Sequence, residues 1–534
     1  MQNIKLAGYH LKLPAFLFSP AFALLVLYLC WLAVSCPSLL TYPVPHSDEA
    51  WFGSTGVSML QSGQNEVLIF GDTSGLYRSQ TVWHLFAVLM GGWFRLWGVG
   101  FLQARLLSLT GAALCGLLVY WFASLHFSRI GAWLATALYL FSLRILYTSH
   151  MLRPDAWVQM LGFSTWLGYF LWHKHPRIWK AILLGFLCTA IIDLSPIVVY
   201  FSATAGLWAF GESCWRKKWG QAVALVGGAM LGLGYYYIAQ ILPNANASSE
   251  IGSVFSAFSD ANAFSFLTKG FWRYLKEDLF GIVFLTGLWK HSRVAPIETL
   301  FWLAGLCTAI FRRKHLDWFL LSAGGILWLG FLLPYKGLHH LTEFVPWFSL
   351  LSVGFATCLA DTLAQHWKKP QWRNILPIGL LSPLLFASIV GMALLGQRSA
   401  PIRYERAAAE IRALLPDHPT ILAEGSWYWW FHETPFTTDE YIRLVQDGFP
   451  ELSARQALER VLRDRQINTL LVDEHFSFHL IPANQNLQDE IETYVANHCT
   501  LAGQVTFPGY GVEHGGPFDK TTRVYHCSPL PQTP

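Results

Sequence analysis

Long apolar runs alternate with short polar stretches through the first 396 positions, among them "FLFSPAFALLVLYLCWLAV", "LLSLTGAALCGLLVYWFA", "AVALVGGAMLGLGYYYIA" and "ILPIGLLSPLLFASIVGMALLG". An α-helix needs about 20 residues to cross a hydrocarbon core of roughly 30 Å, and each run reaches or nears that length. The pattern predicts spans near 15–36, 103–126, 131–148, 155–173, 178–194, 196–211, 219–242, 294–311, 316–334, 342–361 and 374–396. The stretch "TVWHLFAVLMGGWFRLWGVG" (81–100) is different. His84 and Arg95 interrupt it and Trp is frequent, which suits a helix lying in the membrane interface. Two longer polar segments, 37–102 and 243–293, are the expected external loops.

After position 396 the period changes. "RYERAAAEIRALL" and "LSARQALERVLRDRQ" have the spacing of amphipathic helices, and "PTILAEG" and "NTLLVDE" read as short buried strands. The fold class expected is a polytopic α-helical membrane protein of about 11 transmembrane helices (1–396), followed by a small extracytoplasmic α/β domain (397–534).

Composition agrees: of 534 residues 53% are hydrophobic and only 13% charged, where a soluble chain carries about 25% charged residues. The 25 Trp and 38 Phe suit interfacial belts and bulky helix packing. The net charge of +4 is dispersed in short clusters, which argues against a nucleic-acid partner. Those clusters ("HFSR", "HKHPRIWK", "ESCWRKKWG", "FRRKH", "QHWKKPQWR") decide the topology. If 81–100 lies flat they share a side with Lys5 and Lys12; if it spans, they face away from them. The positive-inside rule therefore predicts a cytoplasmic N-terminus and an external tail. The start lacks a signal-peptide cleavage pattern, and a bacterial inner membrane is the expected location. Seven of the nine Cys lie in or beside apolar runs; Cys499 and Cys527, in the tail, are either two free thiols or a disulfide of an oxidising compartment.

With this topology the non-cytoplasmic face collects charged residues of both signs from distant parts of the chain. Asp48 and Glu49 follow the first span. A carboxylate there can act as a general base or bind a divalent cation, and the same pair can simply cap a helix beginning near Ala50. Asp155 in "SHMLRPDAW" is either a second carboxylate of one site or a first-turn acid complementing the helix dipole behind Pro154. Lys336, His339 and His340 could meet a phosphate and its developing charge. His339 and Glu343 stand i,i+4, a two-ligand hint of metal that assigns none; a divalent cofactor stays open. Arg78 and Arg153 are phosphate ligands or interfacial anchors. "GAMLG" (228–232) reads as a small-residue helix contact. No G-x-x-x-x-G-K-[ST] occurs, which disfavours an ATP-driven pump.

An acid pair in the first external loop, a flat aromatic helix ending in "WG" and then "QARLLSLTGAALCGLLVYWFA" occur in that order. An Asp at a span mouth ("SHMLRPDAW") and a lysine before an aromatic-proline span start ("YKGLHHLTEFVPWFSLL") follow. Over about residues 15–396 this order resembles the GT-C superfamily of membrane glycosyltransferases, in particular the protein mannosyltransferase and aminoarabinose transferase group and its bacterial relatives. The resemblance implies a polyprenyl-phosphate sugar donor and transfer with inversion to a lipid, glycan or protein acceptor on the outer face. It implies Asp48 as base, with Glu49 beside it, and Asp155 as the acid that helps position acceptor or base. It implies Lys336, with His339 and Arg78, at the departing lipid phosphate; His340 and Arg153 are the further cations expected there. Two departures stand out: relatives often have Lys-Pro-Pro where this chain has "LYRSQTVW", and aminoarabinose-type relatives carry a lysine near Asp193, where this chain has "IIDLSP". "PHSDE" is also similar to the His-x-Asp-Glu of lipid-anchor mannosyltransferases. The rival readings are a glycolipid transporter or flippase without transferase activity, and a scaffold subunit in which the acids are dispensable.

Overall fold

The computed structural model describes residues 2–6, 9–13, 19–70, 83–242, 295–331, 342–449, 451–473, 493–511 and 516–528. Arg78, Lys336, His339, His340 and the expected loop 243–293 lie outside them. A short hairpin, β1 (Gln2–Leu6) and β2 (Tyr9–Leu13), comes first. The helical part then runs α1 (Pro20–Ser35), α2 (Ser47–Ser62), α3 (His84–Trp97), α4 (Phe101–Ser124), α5 (Arg129–Leu140), α6 (Leu143–Ser149) and α7 (Asp155–Lys174). It continues with α8 (Ile178–Ala190), α9 (Val199–Trp215), α10 (Trp219–Tyr236), α11 (Ala295–Arg312), α12 (His315–Phe331), α13 (Val345–His366) and α14 (Trp372–Ser399).

Helix occupies every window in which an apolar run predicts a span. By length and composition, five helices among the described residues could cross a membrane, or six if one bent pair counts as a single span. That pair is α5 and α6, expected as one straight span over 131–148 and bent by 55°. Ser142 explains the break: its Oγ accepts from the Arg144 N–H at 3.3 Å, so a new helix starts where the old ladder stops. Helix α3 has 14 residues, about 21 Å at 1.5 Å per residue, too short to cross. The glycines of "GAMLG" do make a helix contact. A Cβ on Gly228 would lie 2.0 Å from the Ile182 carbonyl oxygen and one on Gly232 2.7 Å from that of Phe186, so α8 and α10 touch backbone to backbone.

The tail holds α15 (Tyr404–Arg412), β3 (Ile421–Ala423), α16 (Tyr428–Phe431), β4 (Phe436–Thr438), α17 (Glu440–Gly448), α18 (Ala454–Asp464), β5 (Thr469–Val472), β6 (Cys499–Gly511) and β7 (Gly516–Cys527). Its strands form one sheet in the order β4-β3-β5-β7-β6. The two strands read from "PTILAEG" and "NTLLVDE" are parallel neighbours, with Leu422 opposite Leu470. Both are buried throughout, as parallel strands covered on both faces are. The antiparallel β6–β7 pair is closed by a Cys499–Cys527 disulfide.

Helix α2 is the hub between the two parts. Its small residues admit neighbours on two sides: a Cβ on Gly53 would lie 2.3 Å from the Trp429 ring, and one on Gly56 2.7 Å from Met90 of α3. Gly425 of the tail sits against Ser47, and Arg465 donates to the Phe70 carbonyl at 2.8 Å. The N-terminal end of α2 is fixed from within the helical part. Glu49 and Arg105 (α4) are both fully buried and face each other, Nε to Oε1 at 3.0 Å and Nη2 to Oε2 at 2.8 Å. Arg105 also donates to the carbonyls of Leu39 and Pro43, and Glu49 accepts from the backbone N–H of His46 and Leu152. His150 ties the same strands of chain: its ring nitrogens meet the Tyr42 carbonyl and the Ser35 hydroxyl. Burial, then Arg105, pushes its pKa down to about 3, so this imidazole is neutral.

Two outcomes follow from this packing. Glu49→Ala leaves Arg105 buried without a counter-charge and should destabilise the fold by about 3–5 kcal/mol; a melting temperature in detergent equal to wild type would contradict the pair's anchoring role. Gly53→Val drives a branched side chain into Trp429, an overpacking that costs about 1–3 kcal/mol. Limited proteolysis should then release the tail faster while the helical part stays intact; an unchanged digestion pattern would show that the contact is not a tight one.

Candidate active site

The acid pair separates into two roles at the first turn of α2. The helix begins at Ser47, three positions earlier than the cap reading expects, and His46 is its N-cap. His46 Nδ1 accepts from the Asp48 N–H at 3.1 Å, and Glu49 reaches back to the His46 N–H at 3.0 Å, a reciprocal capping box. Four hydrogen bonds thus occupy both oxygens of Glu49, which has no exposure at all. Asp48, the position before it, keeps a quarter of its side chain exposed.

Arg153 links Asp48 to Asp155. Its Nη1 contacts Asp48 Oδ2, and its Nε donates to Asp155 Oδ2 at 2.9 Å. Asp155 is the first residue of α7, its side chain 3% exposed, and Pro154 precedes it as N-cap. Asp155 thus sits in the first turn of α7 and is joined to Asp48 through Arg153. Arg153, expected at the donor phosphate, lies between two carboxylates. His46 Nδ1 stands 3.6 Å from Asp48 Oδ2 and completes the immediate surroundings.

A third acid joins the cluster. Glu343, just before α13, is buried and interacts electrostatically with Asp155 and Arg153. Its Oε1 has no hydrogen-bond partner among the described residues. The sequence reading reached Glu343 only as a metal ligand paired with His339; an acid in "HHLTEFVPW", immediately before a span, was the signal for more. Arg105 was missed as well, although "QARLLSL" showed an arginine entering an apolar run.

Asp193 is fully buried. Its Oδ2 meets His84 Nδ1 at 3.3 Å and accepts from the Tyr235 hydroxyl at 3.1 Å, which joins the start of α3 to α10. Behind Ser47 the tail contributes a buried cation: Lys520 Nζ lies 3.1 Å from Glu424 Oε2 and 3.0 Å from Asp473 Oδ2. Burial alone lowers its pKa, but Asp473 and then Glu424 hold the ammonium well above its usual range.

The cluster can hold one partly exposed carboxylate toward solvent, with a guanidinium in contact with it. It gathers no metal set among the described residues. The one group there with three ligating side chains whose donor atoms lie within 4.8 Å of one another is His173, Glu212 and His315, elsewhere in the molecule.

No protein-family model and no curated protein matches the sequence. Solved structures do match. ArnT from Cupriavidus metallidurans in the apo state aligns over 98% of this chain and all of its own, at 14% identity and a TM-score of 0.54. The same protein bound to undecaprenyl phosphate aligns over 94% of this chain and 97% of its own, at 14% identity and 0.53. The Archaeoglobus fulgidus oligosaccharyltransferase in complex with Zn and sulfate aligns over 86% of this chain and 69% of its own, at 11% identity and 0.47. The fold is similar to that of ArnT along nearly the whole chain.

Proposed function

We propose that this protein is an integral-membrane glycosyltransferase that moves a sugar from a polyprenyl-phosphate donor to an acceptor on the non-cytoplasmic face, with inversion. One observation carries the reading: of two adjacent acids, Glu49 is sealed into the fold and Asp48 is left partly open, oriented by Arg153. An ArnT-like fold supports it, since that protein was crystallised with undecaprenyl phosphate. The Cys499–Cys527 disulfide suits a tail in an oxidising compartment such as the periplasm, with about eleven spans, a cytoplasmic N-terminus and the division at 396 and 397. The inner membrane of a bacterium is the location that fits.

In this reading Asp48 takes the proton of the acceptor hydroxyl as its oxygen attacks the anomeric carbon. The bond from that carbon to the phosphate oxygen breaks, and its electron pair leaves on the lipid phosphate. Asp155 holds Arg153, and Arg153 holds Asp48; Glu49 fixes the turn on which Asp48 stands. Lys336, His339, His340 and Arg78 neutralise the departing phosphate. The rival is a carrier for a lipid-linked sugar that needs none of this acid chemistry.

Incubation of purified protein with a panel of polyprenyl-phosphate sugars and membrane acceptors, scored by release of free polyprenyl phosphate, tests the reading. Asp48→Asn should lower turnover by about 10²–10⁴-fold, the range of a general base, while donor binding survives. Donor binding without release by the wild type, across every acceptor, would favour the carrier. Arg153→Gln should lower kcat by about 10²-fold through misplacement of Asp48, with KM for the donor unchanged. A raised KM at constant kcat would instead return Arg153 to the donor phosphate.

A further inference from the structure

A second polar cluster sits at the opposite end of α7 from Asp155. His173 is 18 positions further along that helix, about 27 Å at 1.5 Å per residue. His173 Nδ1 lies 2.8 Å from Glu212 Oε2 of α9. His315, at the start of α12, has its ring stacked on that of His173 with centroids 4.3 Å apart. Donor atoms of all three residues lie within 4.8 Å of one another. Tetrahedral zinc takes donors of this kind, imidazole nitrogen and carboxylate oxygen, roughly 3.3 Å apart for bonds of about 2.0 Å.

The surroundings are those of a ligand set rather than of a single ion pair. The Tyr169 hydroxyl donates to Glu212 Oε2 at 2.9 Å and lies 3.1 Å from His315 Nε2, and Arg216 holds the other Glu212 oxygen at 2.8 Å. Outer contacts of this kind fix the orientation of metal ligands. His173 and His315 line a cavity of ≈ 260 Å³ together with His126, whose Nε2 is buried without a hydrogen-bond partner among the described residues. The cavity gives an ion a path and room for a further ligand. The nearby Arg312 is neutralised by Asp317, so it opposes a cation less than a free guanidinium would.

We propose that His173, Glu212 and His315 form a binding site for a divalent transition-metal ion of the zinc type, pinning α7, α9 and α12 together at the membrane face remote from the acid cluster. Neither the glycosyltransferase reading nor its residues enter this inference. The test is titration of tag-free, chelator-treated full-length protein with Co(II), read by its visible d–d absorption, and zinc content by elemental analysis. One equivalent per chain is expected. His173→Ala and Glu212→Gln should each weaken Co(II) binding by at least about 100-fold, and Tyr169→Phe by about 10-fold. Failure of the wild type to bind one equivalent overturns the proposal directly, whether or not a variant folds. Binding that is undiminished in the His173→Ala and Glu212→Gln proteins overturns it too, by locating the ion elsewhere.

Discussion

The buried contact between Glu49 and Arg105 is the constraint on which the geometry of the acid cluster depends. A charge removed from water is tolerated only when its partners are all in place, and here they come from four separate stretches: 39–43, 46–49, 105 and 152. Satisfying Glu49 therefore fixes the entry to α2, the start of α4 and the loop before α7 at once. Asp48, one position before Glu49, and Arg153, one position after Leu152, inherit that placement. The open carboxylate is accurate because its neighbour is closed.

The same helix couples the tail to the membrane part. Glycines at 53 and 56 let Trp429 and Met90 approach α2 from different sides, while Gly425 rests on Ser47 at its first turn. The α/β tail is thus in contact with the turn that bears Asp48. A movement of the tail relative to the helices would be felt there first.

Much of this was legible in the sequence, and what was not has a common physical cause. Apolar runs give helices because backbone groups without water must be satisfied internally, so the helices in those windows, the short α3 and the 228–232 contact could all be read. Local patterns also gave β3, β5, α15 and α18. The role of Glu49 could not be read, since it is set by Arg105, 56 positions away, and two adjacent acids look alike until their partners are known. The bend at Phe141 and Ser142 hides in an apolar run because a single serine inside such a run usually stays helical. The long β6–β7 pair and the part played by Glu343 likewise depend on distant contacts. Of the residues expected at the phosphate, only Arg153 lies among those described, and it is found with acids.

Lys520 has a consequence for how the molecule comes into being. It lies on β7, and the two carboxylates it neutralises, Glu424 and Asp473, precede it by 96 and 47 positions (520 − 424 and 520 − 473). During synthesis those acids emerge before the lysine that lies between them. The sheet that backs onto Ser47 can close only after its late strand arrives. The helices can be in the bilayer well before the mouth above them is finished, so the order of translation and the order of completion differ.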